Sequence, residues 1–228
     1  MLKRLFPNIT PIVEIIVWIN LMVFVASYVV GYTMNIDLNK VLGLWYFGLP
    51  PFHWYQVITC MFCHGGIGHI FFNMFSLISI GSFLEYLFGA KRFVAFYFLC
   101  GLFGAALTLM NQARITHNLL GTWIPGVEDF GALPAQVLSV SVGASGAIYG
   151  VFAALALLRP NVEFMIFFIP FPIKAKYLLP GMIAIEMFLA VQNYDWDIMG
   201  HFAHIGGAFM GAFLVKGLRW GDDTYPRR

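Results

Sequence analysis

Apolar residues follow one another along this chain in blocks of membrane-spanning length, interrupted where Gly, Pro and charged residues cluster. A helix needs roughly 20 mainly apolar residues to cross a hydrocarbon core of about 30 Å. On that measure the pattern predicts six helices, at Ile12 to Val30, Gly68 to Phe88, Phe93 to Met110, Ala144 to Leu158, Leu178 to Val191 and Ala203 to Leu218. The fourth is short for a full crossing. Phe164 to Phe171, broken by Pro170 and Pro172, is too short to span and reads as a dipping hairpin between the fourth and fifth helices. The expected fold class is all-α, a polytopic bundle of six transmembrane helices.

Composition agrees with this pattern. With 60% hydrophobic residues, 11% charged residues and a mean hydropathy of +0.79, the chain has too little polar surface for a soluble globule of its size. The net charge of +2 and the scatter of the basic residues exclude a nucleic-acid footprint. Three cysteines cannot form a disulfide framework, and Cys60-x-x-Cys63, without a second ligand pair, reads as two cysteines in apolar sites. No cleavable leader is expected, because the first apolar run is long enough to span and lacks a small-residue cleavage site.

Placing the charges on six spans sets an orientation. Lys3, Arg4, Lys91, Arg92, Arg159, Lys174, Lys176, Lys216, Arg219, Arg227 and Arg228 fall on one side, and only Lys40 and Arg114 on the other, so both termini are expected to be cytoplasmic. Two outer loops are long. Gly31 to Ile67 carries Tyr32, Trp45, Tyr46, Phe47, Phe52, Trp54 and Tyr55, rings that favour the headgroup region. Asn111 to Val142 is a mixed segment to which the pattern assigns no role. No internal repeat is evident, which argues against an inverted-repeat transporter.

The candidate chemistry follows from the topology. Spans two, four and six all begin on the outer side, so residues about a turn into each share a depth: His69 and Asn73, Ser145, and His204. Polar residues inside a span are costly enough that function is their default reading. Ser145 and His204 are a candidate nucleophile and base. His69 and Asn73, four apart, project from one helix face and are candidate donors to an oxyanion, joined by the backbone N–H of Ser145 at its helix start. Gly146-x-x-x-Gly150 and Gly207-x-x-x-Gly211 would let the fourth and sixth helices approach closely enough for the pair to meet.

Three ordered motifs now point to a family. Gly143-Ala144-Ser145-Gly146-Ala147-Ile148-Tyr149-Gly150, His69-x-x-x-Asn73 and Ala203-His204-Ile205-Gly206-Gly207 together resemble the rhomboid intramembrane serine proteases, a likeness running from the Gln56 region through Gly211. The resemblance implies one protease domain over residues 1–228 in the compact six-span bacterial form, needing no cofactor or metal. It implies Ser145 as nucleophile, His204 as base and acid, His69, Asn73 and the Ser145 N–H as oxyanion donors, and Tyr149 packed beside His204, with Gly143 and Gly146 supporting. Glu85 with Gly89 would hold the second span to its neighbours, and the fifth span with the Gln192 to Gly200 loop would act as gate and cap. Substrates would be other transmembrane proteins, met in the lipid bilayer of a bacterial cytoplasmic membrane. Where some bacterial members have Trp-Arg, this chain has Tyr55-Gln56, a departure in loop detail.

No third carboxylate is expected beside His204, since Asp195 and Asp197 precede the sixth span as outer-loop charges. Glu14, Asn20 and Glu186 read as interhelical hydrogen-bonding residues, His64 and His201 as structural, and His53 and His117 as outer-loop residues. Taken alone, Ser145 would be a packing serine and His69 with Asn73 a helix bridge; their coincidence with His204 overturns this. Two alternatives share parts of the pattern. A membrane metal or haem protein would use His64, His69, His201 and His204 but leave the Ser145 motif idle. A non-catalytic rhomboid-like client binder would be expected to lack the nucleophile or base.

Overall fold

The computed structural model of the protein describes residues 5–165, 170–192 and 200–220. Six long helices dominate: α1 (Pro11–Met34), α2 (Ile67–Phe88), α3 (Ala90–Leu120), α4 (Ser145–Leu158), α5 (Ala175–Gln192) and α6 (His201–Lys216). Of these, α1, α2, α3 and α5 are long and apolar enough to cross a membrane. The protein is an all-helical, polytopic membrane bundle.

Its centre is α4. At 1.5 Å per residue its 14 residues reach about 21 Å, short of a hydrocarbon core of about 30 Å. Most of α4 is buried, through Gly146, Ala147, Ile148, Gly150, Val151, Ala153 and Ala154, against α3 and α6. Small residues permit this packing, because a methyl group built on Gly207 would overlap the carbonyl of Gly146, and one on Gly211 the carbonyl of Gly150. Dispersion between closely packed backbones substitutes here for the hydrophobic effect, which gives little reward to apolar contact within lipid.

The outer helices are attached differently. Helix α1 buries Val13, Ile16 and Val17 and leaves Ile15, Trp18, Met22, Val25 and Val29 exposed, as suits a lipid-facing helix. Its start is held by Glu85, whose two carboxylate oxygens accept from the Ile12 and Val13 N–H groups at 3.0 and 2.9 Å. These are among the donors that a helix N-terminus leaves without intrahelical partners. Asn20, expected to bond between helices, instead donates back to the Ile16 carbonyl within α1 at 2.8 Å.

The third helix continues ten residues beyond Met110, the end expected from apolarity. Asn111, Gln112, Arg114, Thr116 and His117 break the apolar run but not the helix. This end of α3 packs on a second core of Tyr46, Leu49, Ala113, Leu133 and Val137, and the helix ends at Gly121, whose φ of 72° suits glycine. The segment after it, with short helical turns at Val127–Ala132 and Ala135–Leu138, thus covers the first loop. That loop is pinned by buried Gln56, which donates to the Val41 and Pro51 carbonyls at 3.2 and 2.9 Å and accepts from the His53 N–H at 3.1 Å. Between α4 and α5, the expected hairpin is a two-stranded antiparallel ribbon, β1 (Glu163–Phe164) and β2 (Ile173–Lys174); its tip, 166–169, lies outside the described residues.

Candidate active site

Ser145 is the first residue of α4, so its backbone N–H has no intrahelical acceptor and lies at the positive end of the helix dipole. His204 stands in the first turn of α6. The close approach of these helices brings Ser145 Oγ within 2.7 Å of His204 Nε2. Both side chains line a cavity of about 550 Å³ that His69, Asn73 and Gly143 also line.

Each donor around this cavity has a definable orientation. The Gly65 N–H donates to His69 Nδ1 at 3.4 Å, which leaves the ring proton on Nε2. Nε2 faces the serine loop, since a methyl group on Gly143 would stand 2.8 Å from it and 3.5 Å from Ser145 Oγ. Gly143 also has φ +133°, a conformation side chains rarely adopt, and donates its N–H to the Cys60 carbonyl at 2.9 Å. Buried Asn73 has no partner for its Nδ2 amide among the described residues, so its donor capacity is left for a group entering the cavity.

On the far side of His204 the Tyr149 ring lies flat against the imidazole. Beneath both is a residue the expected dyad did not include. Glu186, on α5, meets His204 Nδ1 at 2.8 Å through Oε1, accepts the Tyr149 hydroxyl on the same oxygen at 2.5 Å, and meets His201 Nδ1 at 2.5 Å through Oε2. The expectation that no third carboxylate stands beside His204 is therefore corrected. Asp195 and Asp197 lie outside the described residues, as does most of the Gln192 to Gly200 loop.

The arrangement can be compared with known proteins. Residues 51–220 match the Rhomboid domain model. The chain belongs to the rhomboid family. It is 23% identical over 211 residues to the protein named Putative rhomboid protease YdcA of Bacillus subtilis, covering 92% of this chain and 90% of that one. It is 26% identical over 171 residues to Rhomboid protease AarA of Providencia stuartii, covering 71% of this chain and 54% of that one. An uncharacterised mitochondrial rhomboid protein of Schizosaccharomyces pombe is 26% identical over 198 residues, covering 72% of this chain and 50% of that one. Other relatives are mitochondrial and chloroplastic, and the match covers only 39%, 42% and 64% of the length of three of them.

In this rhomboid the four sequence-predicted site residues, His69, Asn73, Ser145 and His204, meet at one cavity, with Tyr149, Gly143 and Gly146 around them. The four histidines of the metal alternative do not converge, because His201 and His204 turn Nδ1 to Glu186 while His64 packs edge-on against His69 at 4.9 Å. Glu186 was legible only as an interhelical bonding residue. The missing signal was its level in the bundle: Glu186 lies six residues, about 9 Å, before the end of α5 at Gln192, and there it meets His204, a turn into α6.

Proposed function

We propose that this rhomboid is an intramembrane serine endopeptidase that cleaves transmembrane segments of other membrane proteins. The observation that carries this reading is the 2.7 Å contact between Ser145 Oγ and His204 Nε2, inside a cavity also lined by His69 and by Asn73, whose Nδ2 amide has no partner among the described residues. A serine hydroxyl is a weak nucleophile until a base accepts its proton. In the proposed reaction Nε2 takes that proton as Oγ bonds to the scissile carbonyl carbon. The carbonyl oxygen becomes an oxyanion that accepts from His69 Nε2–H, Asn73 Nδ2–H and the Ser145 N–H. His204 then gives its proton to the leaving nitrogen as the C–N bond breaks, and water resolves the acyl-enzyme by the same steps in reverse. Fluorophosphonate labelling of the purified protein, set beside Ser145→Ala, tests this: the expected result is labelling that disappears in the variant, and an unlabelled parent would sink the proposal.

Orientation and compartment belong to the same reading. The charge asymmetry supports cytoplasmic termini, and the nearly full-length match to a Bacillus subtilis relative supports a bacterial cytoplasmic membrane. The native cysteines are buried, so a membrane-impermeant thiol reagent on intact cells should label a cysteine introduced at Asp129 and not one at Lys91. The reverse pattern would invert the topology.

A further inference from the structure

We infer that Glu186 is a positioning residue for His204, completing a Ser145–His204–Glu186 relay; the inference rests on the Ser145–His204 reading above. A neutral imidazole carries one N–H, and either nitrogen can hold it. With Nδ1 set 2.8 Å from a carboxylate oxygen, the proton belongs on Nδ1, and the Nε2 lone pair is turned to Ser145 Oγ at 2.7 Å. That is the tautomer a general base requires. The same carboxylate, buried beside the ring, stabilises the imidazolium formed when His204 accepts the serine proton.

A carboxylate this deep in a helical bundle is expensive unless donors surround it. Three do: the Tyr149 hydroxyl and His204 Nδ1 on Oε1, and His201 Nδ1 on Oε2. His201 precedes His204 by one turn of α6, so both rings reach the same acceptor. Tyr149 and His201 thereby fix Glu186 independently of His204, as a positioning group needs. Glu186 also anchors its helix, because among the described residues of α5 only Ala175 and Glu186 are buried. A purely anchoring role and a positioning role make different predictions.

The test uses the full-length protein in detergent with a transmembrane substrate, comparing the parent with Glu186→Gln and Ser145→Ala. Glu186→Gln keeps the side-chain shape and removes the charge. Positioning predicts that its kcat falls by about 100- to 10,000-fold, the range for losing properly oriented general-base catalysis, while KM stays within about 3-fold. A kcat within about 2-fold of the parent, with Ser145→Ala inactive, overturns the positioning role and leaves the serine–histidine reading standing. Cleavage by Ser145→Ala would instead remove that reading and the relay with it. Should Glu186→Gln fail to fold, ¹⁵N-histidine NMR of the parent decides: the resonances lost in His204→Ala should show Nδ1 protonated and Nε2 bare. A proton on Nε2 in the resting enzyme overturns the proposal.

Discussion

Tyr149 and His204 are stacked, with ring centroids 4.3 Å apart and planes inclined by 3°. The tyrosine hydroxyl reaches the same Glu186 oxygen that His204 Nδ1 meets, so ring and hydroxyl constrain the histidine through separate contacts. Tyr149→Phe keeps the stack and removes one hydrogen bond to a charged acceptor, an interaction worth about 1.5–3 kcal/mol. The expected result is a turnover loss on the order of 10-fold, with Tyr149→Ala distinctly worse because the imidazole also loses its packing surface. Equal activity of the two variants would show that the stack contributes nothing.

Removing one oxyanion donor costs about 100- to 1,000-fold in turnover where the donor is preorganised. Asn73→Ala and His69→Ala should each show a loss of that size with little change in KM, and Asn73→Ala should leave thermal stability nearly intact, since its Nδ2 holds no partner among the described residues. A helix-bridging role predicts the opposite, a lowered Tm and near-normal specific activity. Kinetics and melting measured on the same preparations separate the two.

The helices and the meeting of Ser145 with His204 were legible because each rests on a rule with few exceptions; of the six expected spans, α1, α2, α3 and α5 are long and apolar enough to cross a membrane. Apolar runs of spanning length become helices, and helices that start on one side share depth from that side. Glycine spacing on α4 and α6 then allowed contact. Two features were not legible for physical reasons. The polar end of α3 looked like a loop because apolarity reports lipid contact, whereas Gln112, Ala113 and Thr116 are buried against protein. Gln112 Nε2, for example, donates to the Gln136 carbonyl at 2.9 Å, a partner found only in the fold. Glu186 was missed as a partner of His204 because α5 runs against α6, so the two residues are close in depth but not in counting from their helix starts. Gln56 was read only as a departure from a family pattern, although its amide organises the first loop.

Backbone contact between α4 and α6 sets a stability prediction. A methyl group on Gly207 would occupy the space of the Gly146 carbonyl, so Gly207→Ala must push the helices apart or distort one of them. Overpacking of this kind costs roughly 1–3 kcal/mol and often more against backbone. The variant should melt lower and lose activity in parallel, because separating the helices also lengthens the contact between Ser145 and His204. Gly181→Ala on α5, where none of the described residues lies within 4 Å of the added carbon, is the matched control and should melt like the parent.

Acid sensitivity has an identifiable source outside the spans. His64 lies in the loop before α2, and burial, with the neighbouring His69 ring adding to it, pushes its imidazole down from the ordinary 6.5 to about 4. The folded state therefore binds fewer protons than the unfolded state between those values, so stability falls as pH drops through that window. The contribution is fully present above about pH 6.5, declines toward about pH 4 and is constant below it, amounting to roughly 3 kcal/mol over the window. His64→Phe keeps a flat ring in the buried site and removes the titration. Its Tm should fall less than the parent's between pH 7 and pH 4, measured by differential scanning fluorimetry in one detergent at constant ionic strength. Parallel Tm-versus-pH curves for the two proteins would show that another group governs the acid limb.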